Sequence, residues 1–445
     1  MSMPASRQSR GGLAAGVIVL LGSHAAVGGE IPFDARTIAT ADGAAAVAAA
    51  DLDGDGDLDV LAASSNDDTI AWFENDGLVP PGFTERVIST GVNGASAVAA
   101  RDLDGDGDID VAAAAANGDR IWWFENSGAV PPGFTARVVS DAVERPVALV
   151  LIDVDDDGAT DVLSASSDDG IIGWHRSDGG SPPNFDLIPI VSDADGARDV
   201  HAADLDEDGD VDVLAASSFF EDKVAWYEND GAADPTFTEH VLSQDLLLPT
   251  SVFPADVDRD GDVDVLTASG FDNKIAWFQN SGVSPPTFTQ RVISVSAEFA
   301  RSVIAADING DRYTDVVSAS NSDDTIAWYE NDRGSPPKFV QWVVTTDALG
   351  ATDVAAADLD GDGDPDLISA SGFDDRITWY ENQAPPVDDP CPADLDGTGT
   401  VGFDDLIAVI SQWGACPFCP ANITGNGVVG GADLRILLES WGECP

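Results

Sequence analysis

Short apolar runs alternate with acidic, glycine-rich turns along most of the chain. In the first such unit the runs cover residues 44–50, 60–64, 70–75 and 83–89, and each is rich in Ala, Val, Ile or aromatic residues. An Asp-rich loop, an Asn-Asp-Asp turn and a loop with glycines and two prolines separate them. Runs of this length between turn residues predict four short β-strands in the unit.

The same unit recurs with a nearly constant period of 51 or 52 residues. A period of this size with four strands per unit is typical of a propeller blade. We therefore expect an all-β, seven-bladed propeller of four-stranded blades over residues 30–383, with an open solenoid as the alternative. The Asp-rich segments start at Asp51, Asp102, Asp153, Asp204, Asp256, Asp307 and Asp358, and the repeated tryptophans are Trp72, Trp123, Trp174, Trp226, Trp277, Trp328 and Trp379.

The two ends of the repeat array predict that the ring closes. The seventh unit stops after Asn382 and lacks the fourth, aromatic-led run of the other units. A spare copy of that run, residues 33–38, precedes the first unit. An unpaired sheet edge exposes main-chain N–H and C=O groups that can pair with another chain, so we expect the N-terminal strand to complete the seventh blade.

The first 29 residues have the pattern of a secretory signal. Arg7 and Arg10 precede an apolar run, residues 13–21, and small residues follow that run. The run is too short for a membrane-spanning helix, which needs about 20 residues, and no later stretch could cross a membrane. We therefore expect a secreted or cell-surface protein with no membrane span after the signal is cleaved.

The net charge excludes two classes of partner. The 445 residues include 80 acidic and 20 basic side chains, which gives a formal net charge of −60. Nucleic acids and anionic membranes require a cationic surface, so neither is an expected partner. The hydrophobic fraction of 44% supports a folded core rather than disorder. The seven Asp-rich loops hold 34 of the acidic residues, and clusters of this kind require a counter-ion.

Each Asp-rich loop has the residues of a calcium site. When a loop is numbered from its first Asp, Asp51, Asp53, Asp55 and Asp59 occupy positions 1, 3, 5 and 9, and Gly56 occupies position 6. Alternate side chains of a tight, glycine-containing loop can converge on one point. A shell of roughly six to eight oxygens suits Ca²⁺ better than Mg²⁺. The loops contain no His or Cys, which argues against zinc and copper. Ordinary Asp-Gly turns on a solvated face are the alternative.

We expect up to seven calcium ions in the propeller. Only the main-chain carbonyl matters at position 7, so Ala159 is acceptable there. Loop six has Asn309 and Arg312 where other loops have Asp and Gly, and we predict that it is the weakest site or empty. The candidate ligands are Asp51, Asp53, Asp55, Asp57 and Asp59; Asp102, Asp104, Asp106, Asp108 and Asp110; Asp153, Asp155, Asp157, Ala159 and Asp161; Asp204, Asp206, Asp208, Asp210 and Asp212; Asp256, Asp258, Asp260, Asp262 and Asp264; Asp307, Asn309, Asp311, Tyr313 and Asp315; and Asp358, Asp360, Asp362, Asp364 and Asp366.

A proline-rich linker, residues 384–390, leads to a C-terminal segment, residues 391–445, that holds a second repeat of 28 residues. Each half has a 12-residue loop and a helical run, residues 406–413 and 434–441, between two cysteines. In an exported chain four clustered cysteines predict disulfides. Three pairings are possible, and the internal symmetry favours Cys391 with Cys416 and Cys419 with Cys444.

The first loop of this segment has EF-hand spacing. Its candidate ligands are Asp394, Asp396, Thr398, the Thr400 carbonyl and Asp405. The second loop keeps a single carboxylate, Asp433, so we expect weak calcium binding there.

The motif Asp-x-Asp-x-Asp-Gly-x-x-Asp, followed by an apolar run, resembles the FG-GAP/VCBS repeats of the integrin α-subunit propeller. The resemblance covers about residues 33–383. It implies a seven-bladed propeller with Ca²⁺ in the loop between the first and second strands of each blade, and ligands that meet the opposite face. The same scaffold occurs in adhesion proteins, lectins and enzyme-associated modules, so it does not fix a function.

The C-terminal segment resembles a dockerin, the module that binds cohesin in cellulosomal enzymes. The resemblance implies one or two further calcium ions and a cohesin-like or surface partner. The disulfides and the poorly acidic second loop depart from the dockerin pattern. A small stapled helix pair without a partner is the alternative.

An enzymatic role is not expected. The histidines after the signal, His175, His201 and His240, lie in different repeats, and the chain has no common nucleophile, zinc-protease or phosphate-loop motif. We expect instead an extracellular binding, adhesion or scaffold module attached through its tail. A glycan-binding lectin that uses the repeated tryptophans is the alternative, although a Trp inside an apolar strand usually packs between blades. A polysaccharide hydrolase or lyase is the third possibility.

An extracellular protein or glycan is expected to meet the face opposite the Asp-rich loops, where the connections differ most among repeats. One sector of that face has unusual apolar residues, and clustered apolar side chains often mark a partner site. The alternative is that these loops fold under their own turns, so that the apolar side chains are not available to a partner. The candidate ligand-binding residues are Phe219, Phe220, Leu246, Leu247, Leu248, Phe271 and Phe299.

Overall fold

The computed structural model describes residues 31–218 and 222–383, and in the tail residues 400–401, 406, 409–410, 414–415, 428–429, 431–439 and 441–443. Phe219, Phe220, the four cysteines, Asp394, Asp396, Thr398 and Asp405 lie outside these residues. Within them, no helix is long and apolar enough to cross a membrane.

Seven four-stranded antiparallel sheets make up the propeller, which confirms the predicted all-β fold. The strands are β1 (Phe33–Thr40); β2 (Ala44–Ala50), β3 (Asp59–Ser64), β4 (Thr69–Asn75) and β5 (Phe83–Ser89) in blade one; β6 (Ala95–Arg101), β7 (Asp110–Ala115), β8 (Arg120–Asn126) and β9 (Phe134–Ser140) in blade two; β10 (Pro146–Ile152), β11 (Asp161–Ser166), β12 (Ile171–Ser177) and β13 (Phe185–Val191) in blade three; β14 (Ala197–Ala203), β15 (Asp212–Ser217), β16 (Lys223–Asn229) and β17 (Phe237–Ser243) in blade four; β18 (Pro249–Ala255), β19 (Asp264–Ser269), β20 (Lys274–Asn280) and β21 (Phe288–Ser294) in blade five; β22 (Ala300–Ala306), β23 (Asp315–Ser320), β24 (Thr325–Asn331) and β25 (Phe339–Thr345) in blade six; and β26 (Ala351–Ala357), β27 (Asp366–Ser371) and β28 (Arg376–Asn382) in blade seven.

Strand β1 completes blade seven, as the sequence predicts. It pairs antiparallel with β28, so that Phe33 lies opposite Asn382 and Thr37 opposite Thr378. The sheet order is therefore β1-β28-β27-β26, and the first and last segments of the ring are held together by main-chain hydrogen bonds. This pairing covers the edge that β28 would otherwise expose.

The core lies between the blades. The repeated tryptophans are 1–2% exposed, and several of them meet a Phe of the next blade edge to face, as Trp379 does with Phe83 at 6.1 Å between ring centroids. Aromatic pairs in this geometry add to the free energy of burial. The buried tryptophans thus pack the ring, and they do not offer the exposed platforms that the lectin alternative requires.

The first strand of each blade lies innermost, and each inner strand contacts the inner strands of the neighbouring blades. In blades one to three these strands carry mainly Ala, Val and Leu. The charged and titratable residues of the inner strands are Arg101 in blade two, Arg198, Asp199 and His201 in blade four, Arg301 in blade six and Asp353 in blade seven.

In the described part of the tail, α1 (Gly431–Glu439) overlaps the predicted helical run 434–441, and residues 406, 409 and 410 of the other predicted run are also helical. Four two-residue strands accompany it: β29 (Thr400–Val401) pairs with β32 (Gly442–Glu443), and β30 (Gly414–Ala415) pairs with β31 (Val428–Val429).

Candidate functional site

The Asp-rich loops join the first and second strands of the blades, and their first and last carboxylates hold the loop backbone. In loop one, Asp51 accepts hydrogen bonds from the N–H groups of Gly54 and Gly56 at 2.8 and 3.0 Å. Asp59 accepts from Leu52 at 3.0 Å and from Asn75 at 2.8 Å. These bonds fold the loop into a tight turn that draws its carboxylates together.

The structure brings together the predicted ligands at positions 1, 3 and 9. One carboxylate oxygen from each of Asp51, Asp53 and Asp59 lies within 4.8 Å of the other two. The same triad forms in loops two, three and four, whereas positions 1, 3 and 5 converge in loop five. The residues of these further triads are Asp102, Asp104 and Asp110; Asp153, Asp155 and Asp161; Asp204, Asp206 and Asp212; and Asp256, Asp258 and Asp260.

The side chain at position 7 lies against a neighbouring turn. A Cβ added to Gly77, in the loop after the third strand, would lie 2.2 Å from Asp57 Oδ2, and Gly77 has a φ of +64°. Glycine is therefore required at this close approach. The same contact joins Asp108 to Gly128 and Asp262 to Gly282.

Burial and mutual repulsion raise the pKa values of several loop carboxylates. Burial raises the pKa of Asp59 to about 7, that of Asp264 to about 8 and that of Asp315 to about 9. Burial and the neighbouring Asp55 raise the pKa of Asp53. The clusters thus disfavour their own negative charge, which is the condition that a bound cation would relieve.

Several position-3 carboxylates have a buried oxygen without a hydrogen-bond donor. These oxygens are Asp104 Oδ1, Asp155 Oδ1, Asp206 Oδ1 and Asp258 Oδ1. An orphaned carboxylate oxygen inside an all-oxygen cluster is unfavourable. The donor set of these loops fits a hard divalent cation such as Ca²⁺.

Loops three and six differ because an arginine reaches a loop carboxylate. Arg176 Nη2 lies 2.5 Å from Asp155 Oδ2 in loop three, and Arg333 donates to Asp311 at 2.7 and 3.0 Å in loop six. Asn309 and Arg312 in the sequence predict that loop six differs from the other loops, whereas the contact of Arg176 with loop three was not predicted. The available signal was an Arg at a third-strand position where the other blades have Glu or Gln.

Crevices separate loops of neighbouring blades. A cavity of about 610 Å³ is lined by loops one, two and seven, including Asp51, Asp108 and Asp358. A second cavity of about 550 Å³ lies between loops two and three.

The apolar sector of the opposite face is only partly exposed. Leu246 is fully buried and Leu248 is 8% exposed, so both side chains pack inward. They are therefore not accessible to a ligand, contrary to the prediction. Leu247 and Phe271 are 50% and 69% exposed, and Phe271 lies 5.8 Å from the half-buried Phe299 between ring centroids. Phe373 is 75% exposed and was not among the predicted ligand-binding residues.

The three histidines do not form a common site. His175 is buried and shares a hydrogen bond of 2.9 Å with Ser164, and burial lowers its pKa to about 4. His201 packs against Phe253, and His240 stacks on Trp226 at 4.4 Å. Each histidine therefore has a packing role in its own blade or against the next one.

The repeats match a known family model, that of the FG-GAP-like repeat. The six matches overlap and cover residues 51–113, 102–164, 153–215, 204–267, 256–318 and 307–369. No curated protein matches the chain.

Solved structures share the fold at low sequence identity. BBS1N, solved in complex with ARL6DN, superposes with a TM-score of 0.55 at 11% identity over 80% of this chain and 96% of its own. Raptor of Chaetomium thermophilum superposes with a TM-score of 0.51 at 12% identity over 79% of this chain and 29% of its own. At these identities the likeness concerns the fold alone.

Proposed function

The chain belongs to the FG-GAP-like repeat family, and from this premise we propose that it is a calcium-stabilised propeller that acts as a binding or scaffold module. The Asp-rich loops hold Ca²⁺ on one face, and a protein or glycan partner meets the opposite face. Residues 1–29 direct export, and the dockerin-like tail, residues 391–445, attaches the propeller to a cohesin-like or surface partner.

The convergence of three carboxylates in each of loops one to four carries the calcium proposal. Their oxygens lie within 4.8 Å of one another, and Asp104 and Asp206 each keep a buried oxygen without a donor. Carboxylates this close repel strongly in a partly buried site. A divalent ion supplies the missing positive charge and the missing partner.

The loops are not equivalent in this proposal. Loops one, two, four and seven each have five or six acidic residues. Loops three and six have a resident arginine on one candidate ligand. Calcium affinity should therefore be higher in the first group.

A binding role is preferred to catalysis because the groups that could react are committed elsewhere. The loop carboxylates at positions 1 and 9 accept main-chain hydrogen bonds, and His175 is buried. The exposed apolar residues Leu247, Phe271 and Phe373 lie on connections of the face opposite the Asp-rich loops, which favours a partner surface there.

Thermal unfolding of the full chain with excess calcium and with excess chelator tests the proposal. We expect chelation to lower the melting midpoint, since a site held at 100 times its Kd adds about 2.7 kcal/mol of stability. Equilibrium dialysis gives the number of bound ions, and Asp51→Asn should reduce it by one.

The matched control is Asp67→Asn, which removes a carboxylate from the exposed turn between β3 and β4 and should leave the number of ions unchanged. An unchanged melting midpoint together with no retained calcium would reject the proposal.

A further inference from the structure

The cavity of about 610 Å³ between loops seven, one and two has a lining of two kinds. Carboxylates of all three loops line it, and apolar side chains of the inner strands and loops line it as well. Its volume lies in the usual range of ligand sites, roughly 300–1,000 Å³. Among the described residues that line it there is no Lys, Arg or His. The apolar lining residues include Ala49, Ala50, Leu58, Ala100 and Ile109.

Glycine at position 4 of a loop leaves the space toward the next loop open. Gly54 of loop one and Gly361 of loop seven both line the cavity, and a Cβ added to either would meet no atom within 4 Å. In loop five, position 4 is Arg259, whose guanidinium carbon lies 5.3 Å from the ring centroid of Tyr313 at position 7 of loop six. The side chain at position 4 therefore decides whether this space is filled, and in loops seven and one it is not.

Two carboxylates of the cavity are available to a ligand. Asp57 and Asp108 stand at position 7, where calcium uses the main-chain carbonyl rather than the side chain. Both residues line the cavity, and within residues 31–218 and 222–383 no hydrogen-bond donor or cationic side chain contacts either carboxylate. Loops one, two and seven have five acidic residues each, fifteen in all, and one divalent ion per loop would neutralise six of these charges. The cavity is therefore anionic with or without calcium.

Exposed apolar side chains flank the cavity on the same face. Ala129 lines it, and the next residue, Val130, is 77% exposed. Leu78 and Val79, in the corresponding loop of blade one, are 64% and 75% exposed. Blades three and six have Gly and Ser at these two positions. Exposed apolar residues that cluster beside a cavity often mark the surface that a partner covers.

We propose that the cavity between loops seven, one and two binds a Lys or Arg side chain of a protein partner, on a peptide segment whose apolar residues cover Leu78, Val79 and Val130. Lys and Arg pack their apolar stems on apolar surface while the charged head reaches a carboxylate. The anionic lining complements that charge and disfavours acidic partners. This surface lies on the face of the Asp-rich loops, so it goes beyond the proposed partner site on the opposite face and does not depend on it.

Calorimetric titration of the full calcium-loaded chain with the peptide acetyl-Leu-Lys-Leu-amide tests the site. A salt concentration of about 0.15 M limits long-range attraction to the acidic chain, because the screening length is then about 8 Å. We expect saturable binding that weakens about tenfold or more when norleucine replaces the Lys, and likewise when Gly replaces both Leu residues. Equal affinity for the Gly-Lys-Gly peptide would overturn the proposal, since it would show only the attraction of any cation to an acidic surface.

Gly54→Arg is the most informative variant, because it copies Arg259 of loop five and places a cation in the cavity. Position 4 is Asp156 in loop three and Glu207 in loop four, and these residues and Arg259 have φ values of +54°, +61° and +60°. A residue other than glycine is therefore compatible with the loop backbone. We expect peptide binding to weaken at least tenfold in Gly54→Arg, since charge repulsion and lost space act together.

Asp156→Asn is the matched control. It removes one carboxylate from the same acidic face, outside the residues that line the two cavities, and should leave peptide binding unchanged. Asp108→Asn removes a lining carboxylate and should weaken binding about tenfold. Wild-type affinity in both Gly54→Arg and Asp108→Asn, or an equal loss in Asp156→Asn, would overturn the proposal. The number of bound calcium ions is recorded on the same samples, so failure of this site and failure of the calcium proposal are distinguishable.

Carbodiimide coupling to the wild-type chain provides a measurement that needs no variant. The reagent joins the Lys amine of the bound peptide to a neighbouring carboxylate as an amide and takes up the water that is released. Mass spectrometry should find the peptide attached to Asp57 or Asp108. Attachment spread evenly over the seven loops, or confined to other loops, would contradict the proposal. Self-association of the chain that Gly54→Arg abolishes would assign the cavity to a second copy and would also reject it.

Discussion

Blades three and four follow each other in the chain and have the same strand order, yet the ends of their third strands differ. Blade four has Glu228 and Asn229, whereas blade three has Arg176 and Ser177. The Asn229 side chain donates to two carbonyls, that of Val154 in blade three at 3.2 Å and that of Val211 at 3.0 Å. We call this pair of contacts the Asn bridge.

The Asn bridge joins a blade to the loop of the preceding blade. It recurs wherever the third strand ends in Asn, at Asn75, Asn126, Asn280, Asn331 and Asn382. Ser177 is too short to make it, and its hydroxyl accepts from Gly179 instead. The ring therefore has the bridge at six of its seven blade junctions, and blade three is attached to blade two without it.

The second difference concerns charge. Glu228 adds to the repulsion that raises the pKa of Asp206, after burial and Asp208. Arg176 instead lowers the pKa of Asp155, against the larger upward effects of burial and Asp157. One third-strand position thus decides whether the adjacent loop is fully acidic or partly neutralised by the protein itself.

The largest expected effect comes from removing the Asn bridge of blade four. Asn229→Ser copies the residue of blade three and leaves two carbonyls without their amide donor. We expect a loss of roughly 2 kcal/mol in the free energy of unfolding, because buried groups that lose a partner are costly. Denaturant unfolding in the presence of calcium measures it.

The matched control for this change is Asn93→Ser. Asn93 is exposed and its side chain donates one hydrogen bond, to the Asn117 carbonyl at 3.2 Å, so its replacement should change the stability by less than about 0.5 kcal/mol. Equal losses in the two variants would contradict a special role for the Asn bridge.

The inner strands of the two blades predict a difference in pH dependence. Blade three has Ala148 where blade four has Asp199, and burial raises the pKa of Asp199 to about 7 from an ordinary value of 3.8. Its protonated form is favoured in the folded state, so its contribution to stability is complete below about pH 4 and is lost as the pH rises through 7.

We therefore expect the stability of the wild-type chain relative to Asp199→Asn to fall between pH 5 and pH 8 by on the order of 2 kcal/mol. The free energies of unfolding of the two proteins are measured at each pH and subtracted. The titration of the Asp-rich loops is common to both proteins and cancels in this difference. The exposed Asp186→Asn serves as the charge-loss control. A difference that does not vary with pH would refute the assignment.

The sequence predicts the regular part of this molecule well because its signals are local. The four runs of the first unit match β2 to β5 within one residue at each end, since turn residues bound every strand. The spare run at residues 33–38 predicts the pairing of β1 with β28, which depends only on strand order. The convergence of positions 1, 3 and 9 follows from spacing within one loop.

The sequence does not predict contacts that depend on neighbouring strands or blades. Arg176 reaches Asp155 because the end of β12 lies beside loop three, although 21 residues separate them. Leu246 and Leu247 are adjacent, and only the turn geometry decides that the first is buried and the second is exposed.

Removing the arginine from loop three should create a stronger calcium site there. Arg176→Gln leaves Asp155 without a cation, and we expect the affinity of loop three for calcium to rise about tenfold, or about 1.4 kcal/mol. Calcium titration by calorimetry measures it. Arg137→Gln is the control, because Arg137 pairs with Glu125 rather than with a loop carboxylate. Identical calcium binding in wild type and Arg176→Gln would show that Arg176 does not compete with the ion.

The smallest expected effect is the gain from restoring the missing bridge. In Ser177→Asn the new amide would face the carbonyls of Leu103 and Thr160, the counterparts of Val154 and Val211. The glycine two residues later is retained, and its N–H can donate to the Asn side chain as Gly231 does to Asn229 at 3.0 Å.

We expect Ser177→Asn to stabilise the chain by about 1 kcal/mol, the usual net value of a hydrogen bond made without new strain. Ser177→Ala is the comparison, because it removes only the contact with Gly179. If Ser177→Asn is no more stable than wild type while Asn229→Ser is strongly destabilised, the junction between blades two and three must already be held by other contacts. The Asn bridge would then stabilise only the blade junctions that lack such contacts.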